Sequence, residues 1–441
     1  VFRRRRFHRR KAHLVLSALR HRARELGDRA TLVRAETYGA GSFGAGARSS
    51  RSCRREASSR PATTAWVRAR GGRRLLMEDF YRAARRRTGV LMDGDEPAGA
   101  RWNLDADNRE RPPRDRSDLG VDPPYRRRED EIDEQVRVDL DRWERHEGIT
   151  FVGDDGPRRF AVTRGEARRA LRRFLERRLP AFGPYEDAMM RGDPWMAHSM
   201  LSVPLNLGLL DPFEVVTSAE EAYRAGRAPL RSVEGFVRQV MGWRDYVWHL
   251  YWYLGEDYRT RNALAAHRRP PAWWSDLDGA SVGATCLSGV LGDVRAEGWT
   301  HHIPRLMVLG NWALQRGYDP AAVTDWFHRS FVDGYDWVMV PNVVGMALHA
   351  DGGLMATKPY AGGGAYIDRM SDYCRGCRYD AGVGVGDRAC PFTAGYWWLL
   401  HRRQAELSGN HRMARPLRGL ERLTDLDGLV AQEEARGNRP P

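Results

Sequence analysis

Four cysteines have the residue type and the spacing of a metal or cluster site. Cys374, Cys377 and Cys390 form the pattern C-x2-C-x12-C, and Cys286 lies 88 residues upstream of the first of them. Four thiolates suit either a structural zinc ion or a 4Fe-4S cluster, and the Cys-Pro step at Cys390 also occurs in bacterial iron–sulfur sequences. Spacing alone leaves zinc and iron–sulfur open, and a pair of reduced surface thiols is a third interpretation.

Two adjacent histidines, His301 and His302, form a second set of reactive side chains. Imidazole exchanges protons near neutral pH, which makes the pair a candidate for acid–base catalysis. Adjacent histidines also occur as structural residues. An apolar helical pattern follows the pair and runs to Asn311, so a helix is expected to position both rings.

The basic charge of the chain comes from its first 75 residues. The 441 residues carry 72 Lys and Arg against 58 Asp and Glu, a formal net charge of +14. Residues 1–75 hold 21 basic and 4 acidic residues, so the remaining chain is slightly acidic. The charge is therefore not a signature of nucleic-acid binding by the whole molecule.

Cysteine content and hydropathy indicate the compartment. An odd number of cysteines and no export signal favour a reducing cytoplasm, where clustered cysteines bind metal instead of forming disulfides. No apolar run reaches the 18 residues that a membrane helix needs. Cys53 lies in an Arg/Ser-rich stretch and is interpreted as incidental. We expect a cytoplasmic monomer with no membrane segment.

The pattern of apolar and polar residues divides the chain into three parts, and the predicted fold class combines an α/β part with an all-α part. Residues 1–75 contain a helical pattern at Lys11–Leu26 and a strand pattern at Thr31–Arg34, typical of a partial Rossmann-like parallel-sheet domain. Residues 76–160 combine a helix with a charged, proline-rich linker and a further helix. Residues 161–441 predict a large all-α domain. The predicted helices are Met77–Arg87, Glu166–Arg178, Ser218–Ala225, Val233–Tyr253, His301–Gln315, Pro320–Val332 and Ala394–Leu407.

Several motifs follow one another along the all-α part. They are HSMLS at 198–202, VEGFVRQVMGWRDY at 233–246, HHIPRLM at 301–307, LGNWAL at 309–314, and VDGYDW with PN at 332–342. Together they resemble the photolyase/cryptochrome superfamily, in which such a loop and such helices wrap a folded FAD. With the four cysteines, the resemblance narrows to the iron–sulfur bacterial cryptochromes and photolyases, the prokaryotic (6-4) photolyase branch.

The resemblance implies an FAD site and a 4Fe-4S cluster on the four cysteines. Hydroxyls and helix N-terminal amides suit the phosphates of FAD, and arginine forks suit phosphate or carboxylate groups. Each polar residue taken alone is equally a capping or solvated residue. The implied FAD-binding residues are His198, Ser199, Met200, Leu201, Ser202, Arg238, Arg244, Asn311, Asp333, Asp336 and Asn342.

The resemblance also implies the residues of repair chemistry. His302 matches the histidine that transfers a proton to the lesion, with the preceding histidine in support. Trp326 matches the inner tryptophan of an electron relay, and Trp274 is our choice for the next one. Phe327 stands where the family usually carries tyrosine, and Met339 where relatives carry glutamate near the flavin. Both departures bear on photoreduction and flavin protonation, and neither bears on the fold.

UV-damaged DNA is the implied partner, because photolyases extrude the lesion into a pocket beside the flavin. Basic residues interleaved with aromatic ones suit phosphate contact and base stacking. The expected DNA-contacting residues are Lys358, Tyr360, Tyr366 and Arg369. The branch also uses an antenna chromophore, 6,7-dimethyl-8-ribityllumazine. The chain opens at what matches the second element of the antenna domain, so residues 1–75 are expected to form a truncated version of it.

The sequence therefore predicts a light-driven DNA repair flavoprotein, a lyase of the (6-4) photolyase type. A cryptochrome-type blue-light photoreceptor would carry the same cofactors without repair. A metal-bound helical DNA-binding module, similar in logic to the iron–sulfur domain of a primase large subunit, would lack flavin. A poorly folded product of a truncated gene would lack both cofactors.

Overall fold

Helices make up most of the part of the chain that the computed structural model describes, residues 2–30, 65–71, 74–115 and 117–441. Within those ranges the only named strands are β1 (Met92–Asp93) and β2 (Glu96–Pro97), an antiparallel pair. The predicted strand Thr31–Arg34 and Cys53 lie outside the described residues. The Rossmann-like sheet therefore stays a prediction, as does the lumazine antenna in residues 1–75, whereas the largely helical character is confirmed.

Three π-helical segments interrupt the helical part, at Arg238–Arg244, Pro304–Gly310 and Pro341–Ala347. The α-helices run in chain order as α1 (Arg9–Leu26), α2 (Met77–Thr88), α3 (Glu131–His146), α4 (Arg164–Arg177), α5 (Leu179–Tyr185), α6 (Ser202–Asn206), α7 (Pro212–Arg224), α8 (Leu230–Val237), α9 (Asp245–Leu254), α10 (Ala272–Ser275), α11 (Thr285–Glu297), α12 (Asn311–Arg316), α13 (Pro320–Ser330), α14 (Asp336–Val340), α15 (Gly364–Met370), α16 (Pro391–Arg402), α17 (Gln404–Ser408), α18 (Ala414–Leu420) and α19 (Leu426–Arg436).

The predicted helices are present, and most of their ends agree to within about three residues. Helix α7 begins six residues before the predicted Ser218, and the pattern at Ala394–Leu407 is divided between α16 and α17. The pattern at Val233–Tyr253 corresponds to α8, the first π-helical segment and α9 in one continuous run. The pattern at His301–Gln315 corresponds to the second π-helical segment and α12. Helix α4 begins with a capping box, in which the Thr163 hydroxyl accepts a hydrogen bond from the Glu166 amide and the Glu166 carboxylate accepts one from the Thr163 amide. Such reciprocal bonds satisfy amides that have no partner inside the helix.

The basic N-terminal segment packs on the helical part. Helix α1 contacts α3 through a shared apolar cluster that includes Ala12, Val136 and Leu140. The arginines around α1 pair with carboxylates of distant segments, for example Arg10 with Glu297 at 2.7 Å. In the described part of residues 1–75, many arginines are therefore paired with carboxylates of the same molecule.

Two large apolar clusters form the core. One surrounds Trp274, Trp312 and Trp326, and the other surrounds Phe174 and Phe236. Across the described ranges we find no helix whose length and apolar character would allow it to cross a membrane. The functional cavity lies where residues of the two clusters meet.

Candidate active site

A cavity of about 360 Å³ lies between the two apolar clusters. All three π-helical segments line it, through Arg244, Arg305 and Asn342. Distortions of this kind occur frequently at functional sites. Eight of the eleven residues expected to bind FAD line the cavity, namely His198, Ser199, Met200, Leu201, Ser202, Arg244, Asp333 and Asn342.

The polar wall of the cavity is organised by Asp333. Its carboxylate accepts hydrogen bonds from Arg305 at 2.9 and 3.1 Å and from the Ser202 hydroxyl at 2.8 Å. The Asn206 side-chain amide donates to the Asp333 carbonyl at 3.3 Å. Bidentate, charge-assisted bonds hold both partners in one orientation. Helix α6 is thereby fixed, through its first and last residues, against the chain before α14.

Several buried nitrogen atoms on the cavity wall have no hydrogen-bond partner among the residues that the structure describes. They are His198 Nε2, His301 Nδ1, Trp299 Nε1 and Arg244 Nε. Arg244 also makes only long contacts, 3.5 Å to Asp245 and to the Leu205 carbonyl. A buried polar group without a hydrogen bond is costly, so these atoms indicate a polar ligand in this cavity.

Three predicted FAD-binding residues lie elsewhere. Arg238 is buried among Asp105, Glu186 and Glu234, where it forms ion pairs at 3.0–3.4 Å. Asn311 is engaged by its own neighbours: its amide donates to Gly362 at 2.8 Å and its oxygen accepts from the Gln315 amide. Asp336 accepts hydrogen bonds from Tyr251 and Arg259. The structure does not bring these three residues to the cavity.

The two predicted catalytic histidines line the cavity in different environments. His301 is buried and stacks on His198, with ring centroids 4.2 Å apart and planes at 20°. Burial lowers the pKa of both rings well below the ordinary value, so both are neutral. The His302 side chain is 43% exposed, and its Nε2 lies 3.5 Å from Asp187. Of the two, only His302 combines solvent access with a carboxylate that would pair with its protonated ring.

Two predicted relay tryptophans are in contact. Trp274 and Trp326 stack with centroids 3.8 Å apart and planes at 29°, and both are buried. Phe327 lies 5.0 Å from Trp326 and lines the cavity, so it separates that tryptophan from the cavity. Met339 also lines the cavity, which places both departures from the resembling family at the site.

The four predicted cysteine ligands line one small cavity together with Tyr373 and Phe392. Cys286 lies in the first turn of α11, Cys390 immediately precedes α16, and Cys374 and Cys377 lie in a turn after α15. None of these four cysteines forms a disulfide. A Cβ at Gly364 would lie 2.7 Å from the Cys390 sulfur, so the backbone passes close to this group.

The predicted DNA-contacting residues lie partly beside the histidines. Burial raises the pKa of Tyr366, and the carboxylate of Asp187, the partner of His302, adds to the shift. Burial likewise raises the pKa of Tyr360, with Asp187 among the contributing charges. The Arg369 guanidinium lies 5.7 Å from the Tyr366 ring centroid, and Lys358 is exposed.

Sequence reasoning missed some lining residues. Gln239, Asn206 and Trp299 face the cavity, and Asp187 pairs with His302. Gln239 lies inside the predicted helix Val233–Tyr253, so the sequence placed it on the correct element. A single glutamine, however, does not by itself indicate a binding residue. Asp187 precedes the histidines by more than a hundred residues, and only the fold brings them together.

Comparisons with known proteins found a matching family, sequence relatives and a solved structure. The family described as deoxyribodipyrimidine photo-lyase-related protein matches residues 53–148. A protein of Agrobacterium fabrum named (6-4) photolyase is 43% identical over 397 residues, which cover 89% of this chain and 75% of that protein. An uncharacterized protein of Acanthamoeba polyphaga mimivirus is 33% identical over 96 residues, 22% of this chain and 74% of that protein. The crystal structure of a bacterial class III photolyase from Agrobacterium tumefaciens aligns at 14% identity and a TM-score of 0.40, over 57% of this chain and 56% of that one.

Proposed function

Since the chain belongs to the family of bacterial (6-4) photolyases, we propose that it is a flavoprotein that uses light to reverse (6-4) photoproducts in DNA. The observation that carries the proposal is the cavity. It is lined by eight of the residues that the family resemblance assigns to FAD, and the exposed His302 stands on its wall. Sequence likeness over most of the chain and the chemistry of one cavity thus support the same activity.

FAD fits the donor set of the cavity. The unpartnered nitrogens of Arg244, His198 and Trp299 are donors or acceptors in need of a ligand, and phosphate or ribityl oxygens would supply one. Arg244 offers a fixed fork for an anionic group. Apolar residues such as Met339 and Val343 suit the flavin ring. When bound, FAD would supply the light absorption and the electron, and the protein would hold and tune it.

We propose different roles for the two histidines in proton transfer. The buried, neutral His301 packs against His198 and positions the loop that carries its neighbour. His302 reaches the open side of the cavity, and Asp187 at 3.5 Å orients its ring and would balance a positive charge on it. A lesion base beside His302 would receive a proton from its imidazole or return one to it, as general acid–base catalysis requires.

We propose a 4Fe-4S cluster on the four cysteines. All four line one small cavity, together with Tyr373 and Phe392. Four thiolates suit a zinc ion as well, so the support for a cluster is the family resemblance of the cysteine pattern.

DNA would approach the side of the cavity that carries His302 and Asp187. Tyr366, Tyr360 and Arg369 stand near that side and offer stacking surfaces and a cation. A poorly stacked lesion costs less to extrude than an intact base, which favours damaged over undamaged DNA. We propose that these residues form the rim of the lesion pocket.

The proposal is tested with a matched pair of histidine variants. His302→Ala should retain flavin, cluster and DNA affinity and lose about 10²–10⁴-fold in light-dependent repair, the usual worth of a general acid–base group. His301→Ala should lose less repair. Equal repair by wild type and His302→Ala would refute the assigned role. A wild type that binds flavin and photoreduces it but repairs nothing would point to the photoreceptor alternative.

A further inference from the structure

The relay tryptophan Trp274 is a poor place for an electron relay to end. Its side chain is completely buried, and its neighbours in the core are apolar. Loss of an electron there would leave a positive charge in a low-dielectric interior, which is costly without a compensating group. An electron relay needs an end that water can reach, where an external donor restores the oxidised residue.

Aromatic contacts continue from Trp274 towards the surface. The Tyr318 ring lies 5.8 Å from Trp274, and its phenol oxygen accepts a hydrogen bond from Trp312 Nε1 at 3.3 Å. Trp312 in turn lies 6.1 Å from Trp273. Tyr318 and Trp312 are almost fully buried, whereas Trp273 is partly exposed and donates its Nε1 hydrogen to the Asn438 carbonyl at 2.8 Å.

We propose that Trp273 is the solvent-side terminus of an electron relay that runs from the flavin cavity through Trp326, Trp274, Tyr318 and Trp312. The inference rests on the proposed function, because it requires FAD in the cavity as the electron acceptor. It adds three residues to the two tryptophans that the family resemblance suggested.

The charges along this route favour oxidation at Trp273. Tyr318 is 1% exposed and is shielded from water, which would have to accept the proton of an oxidised tyrosine, so Tyr318 serves as a bridge between two indoles. Trp312 is 1% exposed, so a positive charge on its ring is costly for the same reason as on Trp274. At Trp273 water can stabilise the charge and accept the indole proton.

The step balances as a one-electron transfer. Photoexcited oxidised flavin gains one electron from Trp326, and each inner tryptophan is refilled from the next indole outward, with Tyr318 as a bridge that stays reduced. Trp273 finally loses one electron, and its Nε1 proton leaves the Asn438 carbonyl and passes to water. An external thiol, as one-electron donor, then restores the indole.

A branch leads from Trp312 to the cysteine cavity. The ring of Phe392 lies 5.6 Å from Trp312 and lines that cavity. Phenylalanine is much harder to oxidise than tryptophan or tyrosine, so the route to Trp273 is favoured over electron supply from the cluster.

The test compares the purified holoprotein with Trp273→Phe and with Trp397→Phe, a control at another partly buried tryptophan of the same core that is outside the route. Each is illuminated with oxidised flavin and followed by time-resolved EPR. We expect wild type and Trp397→Phe to form a long-lived neutral tryptophanyl radical and Trp273→Phe to lose it. An unchanged radical in Trp273→Phe overturns the proposal, as does a cluster EPR signal that appears in its place in wild type.

A second readout needs no variant. Illumination of wild type in air without thiol lets oxygen trap the terminal radical, and peptide mapping by mass spectrometry should find oxidised indole at Trp273. Oxidation confined to other tryptophans overturns the proposal while flavin binding and repair stand. A wild type without flavin absorption overturns the proposed function itself, and with it this inference.

Discussion

Three carboxyl groups surround the buried guanidinium of Arg238, and one positive charge does not neutralise three negative ones. Arg238 lies 3.0 Å from Asp105, 3.2 Å from Glu186 and 3.4 Å from Glu234. Burial raises the pKa of Glu186 to about 8, despite the opposing effect of Arg238. The folded protein therefore holds a proton on Glu186 at neutral pH, and Glu186→Gln should make its stability less sensitive to pH.

The magnitude follows from the pKa shift. The ordinary pKa of this side chain is 4.5, and in the folded protein it is about 8. Between these values the folded state binds the proton more tightly than the unfolded chain does, so wild type loses stability as pH rises. At about 1.4 kcal/mol per pKa unit, the loss across the whole window reaches about 5 kcal/mol. The side-chain amide that Glu186→Gln introduces has no titratable proton, so the variant escapes this loss.

The assay is denaturant unfolding of the holoprotein from pH 5 to pH 8.5, followed by circular dichroism. The unfolding free energy of Glu186→Gln relative to wild type should rise with pH, by up to about 1.4 kcal/mol per unit. Cofactor contributions cancel in this difference. Glu176→Gln, at an exposed position of α4, is the matched control and should track wild type. A difference that stays constant over the whole pH range would refute the reasoning.

Three further outcomes are expected at the cofactor sites. Arg244→Ala should weaken flavin binding about ten- to hundredfold, because a charge-assisted hydrogen bond contributes about 1.5–3 kcal/mol. The flavin that the variant releases on gel filtration measures the weaker binding, and full retention of flavin would contradict the prediction. Cys286→Ala should lose both iron and acid-labile sulfide by elemental analysis, and zinc in wild type would contradict the cluster. Phe327→Tyr places an oxidisable ring between the cavity and Trp326, so it should accelerate the photoreduction of flavin, which is followed by flavin absorbance. An unchanged rate would show that residue 327 does not limit photoreduction.

Local sequence patterns were sufficient for the helices. Apolar spacing identified the run at Val233–Tyr253, which the structure extends to Leu230–Leu254. The same pattern does not reveal the π-helical segment inside this run, because widened turns arise from packing and leave the apolar order intact. The strand predicted at Thr31–Arg34 lies outside the described residues and stays a prediction.

The site was less predictable because side-chain environment is a tertiary property. Arg238 and Arg244 lie six residues apart on one helical run and look equivalent in the sequence. The structure turns Arg244 into the cavity and surrounds Arg238 with carboxylates from other segments. Conversely, the order of the motifs assigned Ser202 and Asp333 to one site. The structure joins these two side chains by a hydrogen bond although they lie 131 residues apart in the sequence. The family resemblance identified the set of candidate site residues, and only the fold shows which of them line the cavity.

The most direct test of the central claim is repair itself. The protein with reduced flavin is mixed with an oligonucleotide that carries one (6-4) photoproduct and is kept in the dark or in blue light, with a cyclobutane dimer as the control lesion. The account predicts restored undamaged bases only in the light and only from the (6-4) lesion. Persistence of that lesion in the light, in protein whose flavin is bound and reduced, would contradict the account.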